Sequence, residues 1–209
     1  MRTHFRCLAF AAPLLALGIA AFGVAPAPAQ EFPSKPIKFV VPFPPGSGTD
    51  TSARYFGRKL TELTGQPVVV ENKPGANGFI AVKAALAAPA GGYTVFVGSN
   101  STLAVNVALF KSLPYDPVTE LAPLTMMMRS PALIVVPGPS PYKTLPELMA
   151  GARARPGALN YGAGSAGYQL MAELFNDAAK VQTTHVPFKG ANGAVAAVPG
   201  GTLDLAFGV

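Results

Sequence analysis

Cysteine is nearly missing from this chain: Cys7 is the single one in 209 residues, and it lies close to the amino end. A disulfide framework is therefore excluded, as is a cysteine-ligated metal centre. Histidine is scarce as well. Beyond residue 29 only His185 remains, and no carboxylates cluster at ligand spacing, so metal chemistry is disfavoured and no cofactor is expected. In a predicted strand, His185 reads as a hydrogen-bonded structural residue. Runs of like charge are also lacking. Lys35, Lys38, Arg54, Arg58, Lys59, Lys73, Lys83 and Lys111 are scattered, which excludes a nucleic-acid-binding stripe. Position 51 is Thr51, where a dinucleotide fingerprint needs its third glycine, and no Gly-Lys-Ser/Thr follows for a phosphate loop. Nucleotide binding is disfavoured on both counts.

What is present begins with a leader. Arg2 and Arg6 give a basic start, Leu8 to Val24 is apolar but short and rich in alanine and glycine, and Ala27-Pro28-Ala29 offers a cleavage site before Gln30. Residues 1–29 thus read as a secretory signal, with a retained anchor as the alternative. Cys7 comes too early for a lipidated cysteine. Without that segment, 180 residues remain, with no cysteine and with 14 basic against 10 acidic side chains. A cysteine-free exported chain of this size suits a bacterial periplasm, where a core replaces disulfides. The residual charge of about +4 favours anionic small molecules in general.

From Ile37 the chain alternates short apolar runs with helical periodicity. Ile37 to Val41 is nearly all apolar, as expected of a strand buried on both faces of a parallel sheet. It stops at Pro42-Phe43-Pro44-Pro45-Gly46-Ser47-Gly48-Thr49-Asp50, where two small glycines and a helix start would let backbone N–H groups meet an anion at the positive end of a helix dipole. An ordinary strand-to-helix turn, with Asp50 as a helix cap, is the alternative. Ala53, Phe56, Leu60 and Leu63 form the expected inward stripe of the helix, which Gly65 and Pro67 stop. A second strand at Val68 to Val70 and a second helix with Phe79, Val82 and Leu86 inward follow. A third strand at Tyr93 to Val97 runs into Gly98-Ser99-Asn100-Ser101-Thr102 and a short helix with Leu103, Val107 and Phe110 inward. Three such units put their polar loops on one edge of a parallel sheet.

Leu113 to Pro117 is a rigid connection, and Leu121 to Met128 with Leu133 to Val136 reads as an extended crossover. Thr144 and Glu147 make a capping box for the next helix, with Leu145, Leu148 and Met149 apolar, and Pro156-Gly157 ends it. Then the first pattern recurs: a strand at Leu159 to Tyr161, a glycine loop Gly162 to Gly167, and a helix with Leu170, Met171, Leu174 and Phe175 inward. Strands at Thr183 to Phe188 and Leu203 to Phe207, with a helix near Ala191 to Val198 between them, complete a second α/β lobe. Ala163-Gly164-Ser165-Ala166-Gly167 approximates a nucleophile elbow, and Asp177 and His185 follow in the order of a serine hydrolase. The short separation of Ser165 from His185 argues against that enzyme, because the hydrolase fold brings its acid and base from later strands. Ser165 serves better as a hydroxyl beside free N–H groups at a helix start. Two such loops, one per lobe, would each take one charged end of a dicarboxylate in the cleft between them.

Pro36-Ile37-Lys38-Phe39-Val40-Val41-Pro42-Phe43-Pro44-Pro45-Gly46-Ser47-Gly48-Thr49-Asp50, Gly65-Gln66-Pro67-Val68-Val69-Val70-Glu71-Asn72-Lys73-Pro74-Gly75-Ala76, Leu113-Pro114-Tyr115-Asp116-Pro117, His185-Val186-Pro187-Phe188-Lys189-Gly190 and Gly200-Gly201-Thr202-Leu203-Asp204-Leu205 together resemble the Bug family. These are the extracytoplasmic solute receptors of tripartite tricarboxylate transporters. The resemblance implies an α/β fold, the two-lobed periplasmic binding protein (type II-like), with 1–29 the signal, 30–125 the first lobe and 126–209 an incomplete second lobe. It implies a periplasmic monomer that catalyses nothing, closes on a small organic carboxylate and delivers it to the membrane components of the transporter. Carried onto matching positions, it points to Pro45, Gly46, Ser47, Gly48 and Thr49, to Ser99 and Ser101, and to Ser165, Ala166, Gly167 and Tyr168 with Lys189 and Gly190. The sequence departs from the family in a shorter loop at Gly162 to Gln169, in Gln169 for a common histidine, in Phe188 for tyrosine and in Gly208 for aspartate. The family's chain continues to a second crossover back to the first lobe, and this sequence is expected to lack that return.

Overall fold

A strand with Ile37, Phe39, Val40 and Val41 all buried and only Lys38 exposed must be covered on both faces, and the fold provides this. In the computed structural model, which describes residues 31–208, β1 (Ile37–Val41) is the middle strand of a three-stranded parallel sheet. It pairs with β2 (Val68–Asn72) in the register Ile37 to Val68 and with β3 (Thr94–Phe96) in the register Phe39 to Val95. Helices α1 (Gly48–Thr64) and α2 (Phe79–Leu86) supply the crossovers. Ile37, Phe39, Val41, Ala53 and Val97 form the core of this part. The secretory signal assigned to residues 1–29 lies outside the described residues.

A second sheet has the order β4-β7-β5-β6. Strand β5 (Asn160–Ala163) pairs in parallel with β6 (Thr184–Pro187) and β7 (Leu205–Gly208), while β4 (Leu133–Val135) runs antiparallel along β7. The stretch expected as a crossover thus contributes an edge strand. This sheet is buried on both faces by alternation. Leu205 and Phe207 pack with Tyr161, Leu148 and Leu159 on one side, and Ala206 packs with Ala194, Val198 and Leu203 on the other. Helices α4 (Leu145–Ala154), α5 (Ala166–Ala179) and α6 (Ala191–Ala197) cover it. The capping box at Thr144 and Glu147 forms as expected.

Three helix faces differ from the sequence expectation. On α1, Phe56 and Leu63 face solvent, Leu63 at 84% exposure, and the buried residues are Asp50, Ala53 and Gly57. A Cβ at Gly57 would stand 3.0 Å from Val68, so the helix lies close on β2 at this point, while Leu60 packs against the core as expected. On α5, Leu170 and Leu174 are exposed, whereas Met171 and Phe175 pack against the core as expected, beside the buried Ala172, Asn176 and Ala179. After β3, a π-helical turn at Ser101–Val105 precedes α3 (Asn106–Leu109). Its wider turn rotates the phase of the face, so Ser101, Thr102, Val105 and Asn106 point inward and Leu103 and Val107 outward. Asn106 then donates to the Asn77 carbonyl at 2.9 Å, and Tyr115 donates its hydroxyl to the Thr102 carbonyl at 2.6 Å.

His185 on β6 stacks on Tyr161 at 5.0 Å between ring centroids, and its Nε2 is buried without a partner among the described residues. Burial holds its pKa below the ordinary value, although a backbone bond near Ala163 and the Glu173 charge pull the other way. Between that lowered pKa and about 6.5 the unfolded chain binds the extra proton, so stability rises with pH across this window and falls on acidification. Urea melts at a series of pH values should show this fall, and His185→Gln should remove it. An unchanged slope in the variant would leave His185 without a part in the acid sensitivity.

Candidate functional site

The loops that leave the carboxyl ends of β1, β3, β5 and β6 each lead into a helical segment, and contacts join them in pairs. The β1–α1 loop meets the start of α6: Asn192 donates its side-chain amide to the Pro45 carbonyl at 3.4 Å, and a Cβ at Gly190 would lie 3.2 Å from Pro44. The loop after β3 meets the start of α5: the Gly167 N–H donates to Ser101 Oγ at 2.9 Å, both groups being buried. The β5 and β6 loops in turn touch backbone to backbone. A Cβ at Gly164 would stand 2.0 Å from the Gly190 carbonyl carbon. A seam between the two sheets is thus lined by helix starts, the position at which open α/β sheets present their ligand crevice.

In the first loop, Ser47 rather than Asp50 caps α1, its Oγ accepting from the Asp50 N–H at 3.3 Å. Gly46 has φ +80°, and its N–H donates to Asp50 Oδ2 at 2.9 Å, so it points into the protein. Ser47 donates its N–H to the Pro44 carbonyl at 3.2 Å. That leaves Gly48 and Thr49, whose N–H groups meet no acceptor among the described residues and which open the 17-residue helix α1. Pro45 is exposed at the turn. The outward donors are therefore fewer than the sequence implied, and they sit at the dipole end.

The second glycine loop follows the same plan. Ser165 caps α5 and accepts from the Tyr168 N–H at 3.4 Å, Gly167 is taken by Ser101, and the Ala166 N–H is left without an acceptor among the described residues. Tyr168 is half-buried, and burial pushes its phenol pKa up. Ser99 belongs to a hydroxyl cluster with Thr102, whose Oγ1 accepts from the Ser99 N–H at 3.0 Å. Gly190 is buried as the residue before α6, and Lys189 beside it is exposed. The hydrolase arrangement is not assembled: the Ser165 hydroxyl caps its helix, and His185 lies against Tyr161. Among the described residues, no group of three or more histidine, cysteine or acidic side chains is placed to hold a metal. A separate hollow lined by Ile134, Val136, Tyr142, Leu145 and Leu148, with Lys143 and Thr144, is mostly apolar, and Lys143 already donates to the Gly138 carbonyl at 2.7 Å.

Sequence reasoning passed over Asn72, Arg54 and Asn192. Asn72 ends β2 and Asn192 opens α6, and both reach the β1–α1 loop from far along the chain, a proximity that only the paired strands and the seam create.

Comparison with known proteins agrees with this architecture. The model of the tripartite tricarboxylate transporter family receptor matches residues 52–208. Protein BugT of Bordetella pertussis is 37% identical over 194 residues, which are 91% of this chain and 60% of that protein. A protein encoded in the tcbD-tcbE intergenic region of Pseudomonas sp. strain P51 is 35% identical over 176 residues, 83% of this chain and 52% of its own length. Among solved structures, a Rhodopseudomonas palustris protein with adipate superposes with a TM-score of 0.82 at 33% identity, covering 85% of this chain and 60% of that one. MatC of the same organism, with bound malate, gives 0.78 at 32% identity, with coverage of 85% and 61%. The chain spans between 52% and 61% of the length of these relatives. The helix-start seam and the family match over three quarters of the sequence lead to one conclusion: this chain belongs to the tripartite tricarboxylate transporter receptor family.

Proposed function

We propose that the chain is a periplasmic solute receptor, working as a monomer, that captures a small dicarboxylate in the seam and presents it to the membrane components of a tripartite transporter. The observation that carries this reading is the pair of long helices, α1 and α5, whose first N–H groups at Gly48, Thr49 and Ala166 have no acceptor among the described residues. Each helix start amounts to roughly half a positive charge, and each suits one carboxylate. Pro45 to Thr49 would hold one end of the ligand, and Ser165 to Tyr168 with Lys189 and Gly190 the other. Ser99 and Ser101 would line the seam between them. Residues 30–125 and 126–209 would act as the two lobes, and residues 1–29 would direct export. The relatives solved with adipate and with malate support a dicarboxylate as cargo. No helix among the described residues is long and apolar enough to cross a membrane.

Thermal melts of residues 30–209 with adipate, malate, citrate, acidic amino acids and nicotinate test this directly. A dicarboxylate at a hundred times its Kd should stabilise the fold by about 2.7 kcal/mol, a clear rise in Tm. A cooperative melt that no carboxylate moves would reject the receptor reading.

A further inference from the structure

Behind the first glycine loop, three side chains, Asp50, Arg54 and Asn72, are joined by hydrogen bonds to one another and to the loop backbone. Asp50 is 2% exposed and its carboxylate is saturated: Oδ2 accepts from the Gly46 N–H at 2.9 Å and from Arg54 Nε at 3.0 Å, while Oδ1 accepts from Asn72 Nδ2 at 2.8 Å and meets Arg54 Nη2 at 3.0 Å. Asn72 also donates to the Phe43 carbonyl at 3.0 Å and accepts from Arg54 Nη2 at 3.0 Å. Through the β1–β2 register, which pairs Val41 with Asn72, the sheet edge, the loop and the first turns of α1 become one hydrogen-bonded unit.

We propose that Asp50, Asn72 and Arg54 are positioning residues that fix the β1–α1 loop in its anion-accepting form, and that Arg54 neutralises Asp50 so that a second anion can be held beside it. This inference rests on the receptor reading of that loop. Two physical needs meet in the cluster. Gly46 must stay at positive φ with its N–H turned inward if Gly48 and Thr49 are to present theirs outward, and Asp50 supplies the inward acceptor. A buried carboxylate within a helical turn of an anion site would by itself repel the ligand, and the guanidinium pairs with it through two nitrogens. Burial pushes the Asp50 carboxyl up, yet the bonds from Arg54, Gly46 and Asn72 outweigh that and hold it below the usual carboxylate range. The charge therefore persists at neutral pH and needs its partner.

The test is a charge cycle on the whole chain: Arg54→Gln, Asp50→Asn and the double variant, each titrated with adipate and malate at low and at high salt. Arg54→Gln should weaken binding by about tenfold or more, because Asp50 keeps its charge with only neutral donors around it. The double variant should regain most of that loss, and the Arg54→Gln deficit should shrink as salt rises. A double variant that binds worst of the three, in step with its Tm, would reduce the cluster to a fold-stabilising role and overturn the proposal. So would an Arg54→Gln affinity equal to the parent's. The Gly46 amide gives a readout free of any ligand: bonded to a carboxylate, it should resonate downfield and exchange slowly, and Asp50→Asn should shift it. A freely exchanging Gly46 amide in the parent chain rejects the brace itself. A protected amide in a parent chain that binds no carboxylate instead counts against the receptor reading, which separates the two failures.

Discussion

Replacing Gly164 with alanine should destabilise the protein by about 3 kcal/mol or more, lowering Tm by roughly 10 °C in a domain of this size. The added Cβ would meet the Gly190 carbonyl carbon at 2.0 Å, the Ala191 nitrogen at 2.2 Å and the Gly190 oxygen at 2.3 Å. All three are backbone atoms, so no side chain can rotate away. Relief requires the end of β5 to move from the start of α6, and that movement pulls on Ala194 and Val198, which are buried against Leu203 and Ala206. Gly138→Ala is the matched control, because its Cβ would enter open space. Differential scanning calorimetry of the two variants decides the matter. A Gly164→Ala melt at the parental temperature would mean that the two loops are not in contact.

Gly46→Val should cost ligand affinity about tenfold or more while the melt stays cooperative. Here the obstacle is conformational. Nothing crowds the position, since the nearest atom to an added Cβ is the Asn192 side-chain nitrogen at 3.8 Å. At φ +80°, however, a β-branched residue carries roughly 1–2 kcal/mol of strain, which it relieves by turning the peptide and withdrawing its N–H from Asp50. The outward set of the Gly48 and Thr49 N–H groups is then lost. Gly46→Asn should fall between valine and the parent, because asparagine tolerates the left-handed region. Dicarboxylate affinity unchanged in Gly46→Val would take this loop out of the site.

The parts legible in the sequence were those written locally. The Thr144 and Glu147 box, Gly65 after Thr64 and the apolar run of β1 each depend on residues a few positions apart, and each forms as read. Helix faces were legible in part: Leu60, Met171 and Phe175 pack inward as read, but the rule that large apolar residues point inward fails at positions where a helix lies close on a sheet. Gly57 and Ala53 on α1 and Ala172 and Ala179 on α5 occupy the interface, and Phe56 and Leu174 are displaced to its flank. The π-helical turn at Ser101–Val105 shifted a third face in a way no 3.6-residue period could reveal. Within the candidate site, residue types pointed to the loops but not to the direction of each N–H. Gly46 turns inward because Asp50 and Asn72 wait there, and Asn72 is brought by a strand pairing across 31 positions.

The place of β7 in its sheet has a kinetic consequence. It is the last of the four strands in sequence, yet it lies between β4 and β5, with Leu133 opposite Gly208. As a chain emerges amino end first, β4, whose partner among the described residues is β7, waits until residue 208 is out, and the paired β5 and β6 wait with the β7 flank of β5 open. Pairing across so long a stretch must offset a large loop-closure entropy before any ladder bond rewards it. The first sheet, whose strands pair between nearer neighbours, should therefore close early, and the second should snap shut in one late step. Any factor that delays or shields an emerging chain would act on that interval, when the exposed strand flanks invite intermolecular pairing.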